Sequence, residues 1–216
     1  MLKMLIMGPA GAGKGTMSEL IASNFKVAHI SSGDMFREEI KHQTHLGLQA
    51  KSYITQGLLV PDELTIQMVG NRLKKDDCQN GYLLDGFPRS LAQAEAIEDF
   101  NINAVINLQI DEHLLVDRIV FRRICQQCGT IYNIKLNPIE NAEICPKCCG
   151  KLYQRNDDTY EKLMVRLESY REETKPVIDY YRQKGIVYDV DAGQTIDDVY
   201  KQIESILKNV AEEETK

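Results

Sequence analysis

Short apolar runs alternate with amphipathic segments along most of this chain. The runs predict β-strands near Leu2–Met7, Val27–Ile30, Tyr82–Leu84, Ala104–Ile110 and Ile186–Val190. Between the strands, apolar residues recur at helical spacing, as at Met17, Leu20 and Ile21. This alternation predicts an α/β fold, a doubly wound five-stranded parallel sheet with helices on both faces.

Start signals and apolar stripes predict further helices. One begins at Pro61, a second near Asp111, and a third runs from about Asp158 to Lys184. The last opens at Thr195, with Asp198 three residues later as in a capping box. Its predicted buried stripe consists of Ile196, Val199, Ile203 and Leu207.

Two stretches interrupt the alternation of strands and helices. Residues 31–60 have a helical, polar pattern with no strand of their own, and residues 123–155 hold four clustered cysteines among short alternating runs. We expect both stretches to be insertions that project from the core.

Composition narrows the function classes. The chain has 216 residues, of which 43% are hydrophobic, and its net charge of −6 argues against a nucleic-acid binder. The first apolar run is too short for a signal peptide, and no apolar stretch reaches about 18 residues, so we expect a cytoplasmic protein. Six cysteines in such a chain hold a metal more often than disulfides.

The segment Gly8–Thr16 has the pattern Gly-x-x-x-x-Gly-Lys-Gly-Thr and directly follows the first apolar run. Glycines allow backbone N–H groups to surround a phosphate, and the following helix adds the positive end of its dipole. Lys14 supplies a charge for the outer phosphates and Thr16 a hydroxyl near a Mg²⁺ position. The pattern predicts a P-loop that binds a nucleoside triphosphate; a glycine-rich turn without a ligand is the alternative.

The cysteine pairs Cys125/Cys128 and Cys145/Cys148 have the spacing Cys-x₂-Cys-x₁₆-Cys-x₂-Cys, which is typical of a tetrahedral zinc site. Four protein sulfurs leave no open coordination position, so the zinc would be structural. An iron–sulfur centre or disulfides are the alternatives, and Cys149 could replace Cys148 as the fourth ligand. Cys78 is isolated, and we expect it at the edge of the core or at the surface.

These motifs together resemble the adenylate kinases of the long-lid type, in the subgroup whose lid carries zinc. The resemblance extends to about Leu207 and depends on five segments: Gly8–Thr16, Ser31–Arg37, Tyr82–Arg89, Asp117–Arg123, and Tyr153–Asp158 with Arg166. It implies a core of residues 1–30, 61–121 and 159–216, an AMP-binding insertion of residues 31–60, and a lid of residues 122–158 that resembles a zinc ribbon.

The resemblance also implies the activity and the donor site. A monomer would transfer the terminal phosphate of ATP reversibly to AMP, giving two ADP. Five cations would be catalytic: Lys14, Arg89, Arg122, Arg155 and Arg166. ATP would contact Gly11, Ala12, Gly13, Lys14, Gly15, Thr16, Arg118, Arg122, Ile131, Tyr132 and Gln194. Asp85 would orient Mg²⁺ through water, although it could instead fix a loop, and Tyr132 could simply pack the zinc hairpin.

The implied acceptor site lies on the other side of the phosphates. AMP would contact Ser32, Arg37, Leu58, Leu59, Val60, Gly86, Phe87, Pro88, Arg89, Gln93, Arg155 and Arg166. Gln93 would read the adenine edge, but Ser90–Gln93 also has the pattern of a capping box, in which Gln93 would only reach back to a helix N-terminus.

The chain departs from the family pattern at three positions, and three alternative functions stay open. Pro9 is one position early, Ser32 replaces a common threonine, and Cys149 replaces a common glycine. The rivals are a kinase for CMP, UMP or GMP, a zinc-ribbon nucleotide-binding module without transfer activity, and a catalytically silent homologue.

Overall fold

The structure is a computed structural model that describes residues 1–213, so the last three residues of the predicted core range lie outside the description. The strands are β1 Lys3–Met7, β2 Ala28–Ser31, β3 Tyr82–Asp85, β4 Ala104–Gln109, β5 Arg122–Cys125, β6 Ile131–Asn133, β7 Leu152–Tyr153 and β8 Val187–Asp191. The α-helices are α1 Lys14–Phe25, α2 Ser32–Lys41, α3 His45–Gln56, α4 Asp62–Leu73, α5 Leu91–Glu95, α6 Glu112–Val120, α7 Tyr160–Ser169, α8 Lys175–Gln183 and α9 Ile196–Glu213.

Within residues 1–213, five strands form one parallel sheet in the order β2-β3-β1-β4-β8. All five predicted strands are confirmed, with ends that differ by a residue or so. Strands buried on both faces read as continuous apolar runs, which is why β1 and β4 could be recognised from the sequence. The fold is therefore the predicted α/β architecture.

The sheet separates two apolar layers, because successive side chains of a strand point to opposite faces. Met4 and Ile6 of β1 pack with α1 and α9, whereas Leu5 and Met7 pack on the other face with α8 and the region around Phe87. Because packing on both faces holds the strands in place, their carboxyl ends form a fixed edge of the sheet. In such folds this edge is where ligands bind.

The last helix corrects one prediction. Thr195 caps α9 by accepting a hydrogen bond from the N–H of Asp198, as the sequence indicates. Val199, Ile203 and Leu207 are buried, but Ile196 is half exposed, because the first turn of α9 leaves the sheet and reaches a large cavity. The predicted helix from Asp158 to Lys184 is α7 and α8, joined without a break by a π-helical turn at Tyr170–Thr174.

The two interruptions of the alternation have different structures. Helices α2 and α3 form the first as a packed pair that buries Phe36 and Ala50. In the second, the short strands β5, β6 and β7 form an antiparallel sheet in the order β6-β5-β7, which we call the small sheet. The buried residues of its strands are Ile124, Cys125 and Leu152, and Cys145 packs with the last two.

Candidate active site

The loop between β1 and α1 has the backbone geometry of a phosphate cradle. Gly8, Gly11 and Gly13 all have positive φ, and a Cβ on Gly8 would lie 2.7 Å from the carbonyl oxygen of Leu108, so glycine is required there. Lys14 folds back over the loop, and its ammonium group donates to the carbonyl oxygens of Gly8 at 2.7 Å and Pro9 at 2.8 Å.

The environment of Lys14 changes its acid–base behaviour. Burial lowers the pKa of its ammonium group to about 7, and the nearby Asp85 carboxylate opposes that shift. The positive charges of Arg89, Arg166 and Arg122 add to the lowering. An anion placed among these cations would therefore raise the pKa of Lys14 again.

A cavity of about 1300 Å³ opens above this loop at the carboxyl edge of the sheet. All eleven residues that the sequence assigns to ATP line it: Gly11, Ala12, Gly13, Lys14, Gly15, Thr16, Arg118, Arg122, Ile131, Tyr132 and Gln194. Tyr132 belongs to β6 of the small sheet and also contacts the cysteine cluster, because its hydroxyl lies 3.1 Å from the sulfur of Cys145. The cavity thus brings together the P-loop, the small sheet and the start of α9.

Four arginines from four different segments of the chain converge on the same cavity: Arg89, Arg122, Arg155 and Arg166. Each meets a protein acceptor. Arg89 donates to the carbonyl of Gly86 at 2.7 Å, Arg166 lies 3.1 Å from Asp157, and Arg155 lies 3.5 Å from Asp34.

Burial and neighbouring charge act together on this arginine cluster. Burial lowers the pKa of Arg89, Arg155 and Arg166, the last to about 10. Arg122 forms a two-point ion pair with Asp158, which is fully buried. So many fixed cations around one cavity make a strong site for a polyanion.

Asp85 ends β3 beside the P-loop. The residue is mostly buried, lines the large cavity, and its carboxylate lies 3.6 Å from Nε2 of His29. Thr16 lines the same cavity. A carboxylate and a hydroxyl on one wall are oxygen donors of the type that Mg²⁺ accepts.

The residues that the sequence assigns to AMP are less well gathered. Arg37, Gly86, Arg89, Arg155 and Arg166 line the large cavity. Leu59, Phe87 and Pro88 line a second cavity of about 60 Å³. Ser32, Leu58, Val60 and Gln93 lie outside both cavities, and the hydroxyl of Ser32 donates to the carbonyl of Gly86 at 2.7 Å.

Gln93 is buried, and its side-chain amide has two protein partners. Its Oε1 accepts a hydrogen bond from the backbone N–H of Arg89 at 2.7 Å, and its Nε2 donates to Asp62 at 2.7 Å. The N–H of Gln93 donates to the hydroxyl of Ser90, as in the capping box that the sequence suggests. An amide has two donors and two acceptor lone pairs, so these contacts leave one of each.

The four cysteines with zinc-finger spacing form one cluster. The sulfur atoms of Cys125, Cys128, Cys145 and Cys148 all lie within 4.8 Å of one another, and the closest pairs are 3.4 and 3.7 Å apart. Sulfurs at about 2.3 Å from a tetrahedral zinc are separated by about 3.8 Å, so this cluster can hold zinc. Cys149 is exposed, and Cys78 is buried at the core edge beside Arg72.

Four contacts of the site were not predicted from the sequence. Asp34 pairs with both Arg37 and Arg155, and these arginines outweigh the effect of burial and hold the pKa of Asp34 below its usual value. Lys162 of α7 donates to the carbonyl of Thr55 at the end of α3. Asp62 joins α4 to Gln93. For Asp34 a signal existed, because it stands three residues before Arg37 on one helix.

Comparison with known proteins assigns this chain to one family. A family model described as adenylate kinase matches residues 6–186. The adenylate kinase of Caldanaerobacter subterraneus subsp. tengcongensis is 46% identical over 212 residues, which cover 95% of this chain and 96% of the relative. The adenylate kinases of Clostridioides difficile and Bacillus subtilis are 45% and 48% identical over 95% of this chain and 98% of each relative.

None of the helices between residues 1 and 213 combines the length and apolar character needed to cross a bilayer.

Proposed function

The chain belongs to the adenylate kinase family, and on that premise we propose how its residues transfer a phosphate between two nucleotides. It is an ATP:AMP phosphotransferase, which moves the terminal phosphate of ATP reversibly to AMP and yields two ADP. The observation that carries the assignment of residues is the 1300 Å³ cavity in which the P-loop, Lys14 and four arginines meet.

ATP occupies the large cavity in this proposal. Its phosphates lie against the N–H groups of Gly11–Thr16, and Lys14 moves from the loop carbonyls to the outer phosphates. Adenine and ribose lie between Arg118, the Ile131–Tyr132 segment and Gln194, which line the same cavity. The burial of Lys14 among cations favours this exchange, because a polyanion satisfies charges that the free protein leaves poorly solvated.

The transfer step asks for alignment and for charge stabilisation rather than for a covalent intermediate. The phosphoryl group being transferred would be surrounded by Arg89, Arg122, Arg155 and Arg166. The planar guanidinium groups of these arginines match its oxygens. In the free protein, Asp34, Asp157 and Asp158 hold three of these arginines in place. We expect the incoming phosphates to replace some of those carboxylates.

Asp85 and Thr16 would hold the Mg²⁺ of MgATP, Asp85 through water. The metal would supply charge neutralisation at the phosphate oxygens. What this chain contributes there is a mostly buried carboxylate on the cavity wall, fixed by its place at the end of β3.

The lid of residues 122–158 would carry zinc at Cys125, Cys128, Cys145 and Cys148. The sulfur separations support a tetrahedral ion, and four thiolates leave no place for a substrate, so the metal would be structural. The lid would close over ATP and exclude water, with Asp157 and Asp158 at its hinge. A lid that binds zinc but cannot close should lose transfer and keep most of its affinity for ATP.

AMP would bind between the insertion of residues 31–60 and the core. Arg37 and Arg89 would hold its phosphate, and Gln93 would read its base with the donor and the acceptor that remain free. We also propose that the protein acts as a monomer in the cytoplasm, because one chain supplies every predicted group and the six cysteines, all among residues 1–213, form no disulfide.

The experiment that tests these assignments is a phosphoryl-transfer panel. Zinc-loaded protein receives MgATP with AMP, CMP, UMP or GMP in turn, and the nucleoside diphosphates are quantified. We expect fast turnover with AMP only. Preference for another monophosphate would keep the fold and the arginine assignments but remove Gln93 as the reader of adenine. No transfer to any acceptor would overturn the proposed mechanism.

A further inference from the structure

A small hydrogen-bond network joins the start of α4 to the start of α5. The carboxylate of Asp62 accepts from Nε2 of Gln93 with one oxygen and from the hydroxyl of Ser90 with the other, both at 2.7 Å. Gln93 is 2% exposed, so these contacts lie away from bulk water. Asp62 itself stands outside every motif used so far.

The network fixes which end of the Gln93 amide points where. An ionised carboxylate can only accept, so the NH₂ group must face Asp62. A backbone N–H can only donate, so the oxygen must face Arg89, whose N–H donates to it at 2.7 Å. Two independent partners therefore require the same orientation. Rotation of the amide by 180° would set donor against donor at Arg89 and acceptor against acceptor at Asp62.

A fixed amide offers one free donor and one free acceptor in a fixed order. A purine with a 6-amino group accepts at N1 and donates at position 6, whereas a 6-oxo purine donates at N1 and accepts at position 6. The two classes need opposite orientations of the same amide. We propose that Asp62 is a positioning residue that locks the Gln93 amide and so selects 6-amino over 6-oxo purine monophosphates. The inference rests on the proposed role of Gln93 in reading the base.

A purely structural role for Asp62 makes a different prediction. Asp62 is in the first turn of α4, where any carboxylate interacts favourably with the helix dipole. Glu63 occupies the same turn, is exposed, and lies outside the network. Glu63→Gln therefore removes the same charge from the same turn and leaves Gln93 untouched, which makes it the matched control.

The test compares Asp62→Asn with Glu63→Gln and the unmodified protein. The acceptors are AMP and inosine 5′-monophosphate, which differ only at N1 and position 6, with MgATP at saturation. The asparagine side chain can donate as well as accept, so one of the two constraints on the Gln93 amide is removed, and only the N–H of Arg89 still opposes its rotation. We expect the ratio of kcat/KM for AMP over the inosine nucleotide to fall by about tenfold in Asp62→Asn, mainly through KM, since a hydrogen bond to a charged partner is lost. Glu63→Gln should keep the original ratio.

Each outcome has one meaning. An unchanged ratio, or equal losses with both acceptors, would overturn the role of Asp62 in selection. If the unmodified protein transfers to no monophosphate, the proposed function fails instead, and the two failures are thereby distinguished.

A stability measurement keeps the inference testable if Asp62→Asn alone is poorly folded. Gln93→Glu places two carboxylates against each other, so we expect a lower Tm. Adding Asp62→Asn to it restores a donor opposite the new carboxylate and should recover most of the loss. Equal Tm values for the single and the double variant would contradict a direct Asp62–Gln93 pairing.

Discussion

The five-stranded sheet and the small sheet are stabilised by different forces. Both faces of the large sheet bury apolar side chains, such as Leu5, Leu84 and Ile106. The small sheet and the cysteines beside it bury little beyond Ile124, Cys125, Cys145 and Leu152. A region that cannot bury enough apolar surface needs a cross-link, and four converging thiols provide the place for one. We therefore expect packing to hold the large sheet rigid, and a bound metal to order the small sheet.

The largest expected effect separates the two regions by removing the metal. Chelation, or Cys145→Ser, should abolish the order of residues 125–152, since structural zinc contributes about 10–16 kcal/mol to small metal domains. β1 and β4 should keep their structure because their packing involves no metal. Hydrogen exchange followed by mass spectrometry, residue range by residue range, would measure the difference.

The control for that experiment is Cys149→Ser. Cys149 is exposed and stands next to a ligand of the cluster, so its replacement should leave one equivalent of zinc bound. Equal zinc content in Cys145→Ser and Cys149→Ser would contradict the assignment of the four ligands.

The next effect concerns the chemistry of the core and leaves the lid intact. Lys14→Met should lower kcat by at least about 10³-fold, because it removes a cation that is aimed at the transferred phosphate. Zinc content should not change. Steady-state rates of ADP formation would test this. Lys51 is exposed, so Lys51→Met serves as the control. Loss of zinc in Lys14→Met would mean that the loop and the lid depend on each other for folding.

Packing gives a third, intermediate effect that differs between the two sheets. Ile106→Ala should lower the free energy of unfolding of the core by about 2–5 kcal/mol, since the side chain is fully buried in β4. Leu152→Ala should destabilise only the small sheet. Urea unfolding followed by far-UV circular dichroism would report the core. A comparable shift of the core transition in both variants would show that the regions unfold as one unit.

The smallest effect is a proton taken up when ATP binds. The pKa of Lys14 is about 7 in the free protein, so at pH 8 most molecules carry a neutral amine there. Bound phosphates favour the charged form and raise that pKa, so binding at pH 8 should take up nearly one proton, and binding at pH 6 almost none. Calorimetry in two buffers of different ionisation enthalpy would measure the number, and Lys14→Met should abolish it.

The same pKa sets a sign for stability. The unfolded lysine has a pKa near 10.5 and the folded one about 7, so the unfolded chain holds more protons between those values. The lowered pKa of Lys14 therefore makes folding less favourable. This free-energy cost is fully present below pH 7 and diminishes as the pH rises toward 10.5. The pH dependence of the Tm of Lys14→Met should lack this term, and an identical profile for both proteins would contradict it.

Much of the fold could be predicted because its signals are local. β1 and β4 are continuous apolar runs, and the P-loop directly follows β1, so strand and loop identify each other. Ile196 was placed wrongly because the helical stripe says which face is apolar but not where the helix leaves the sheet. The ends of α7 and α8 were predicted, yet the π-helical turn between them carries no recognisable sequence signal.

The residues assigned to ATP are gathered around one cavity more completely than those assigned to AMP, and both assignments stay predictions. The residues assigned to ATP come from segments whose backbone geometry is set by neighbours in sequence, and all of them line one cavity. Gln93 presented two interpretations, binding and capping. The hydroxyl of Ser90 accepts from the N–H of Gln93 as in a capping box, but the Gln93 side chain accepts from the N–H of Arg89 instead of that of Ser90. Its role in binding AMP stays a prediction.

The sequence by itself determined the order of strands and helices, the phosphate loop and the spacing of four cysteines, because these depend on residues close together in the chain. Only the tertiary structure decided that Cys148 rather than Cys149 joins the cluster, that Asp34 meets Arg155, and that Asp62 holds Gln93. These three contacts join residues that are 23, 121 and 31 positions apart, so they exist only after the packing of the apolar faces has fixed the distance between their elements.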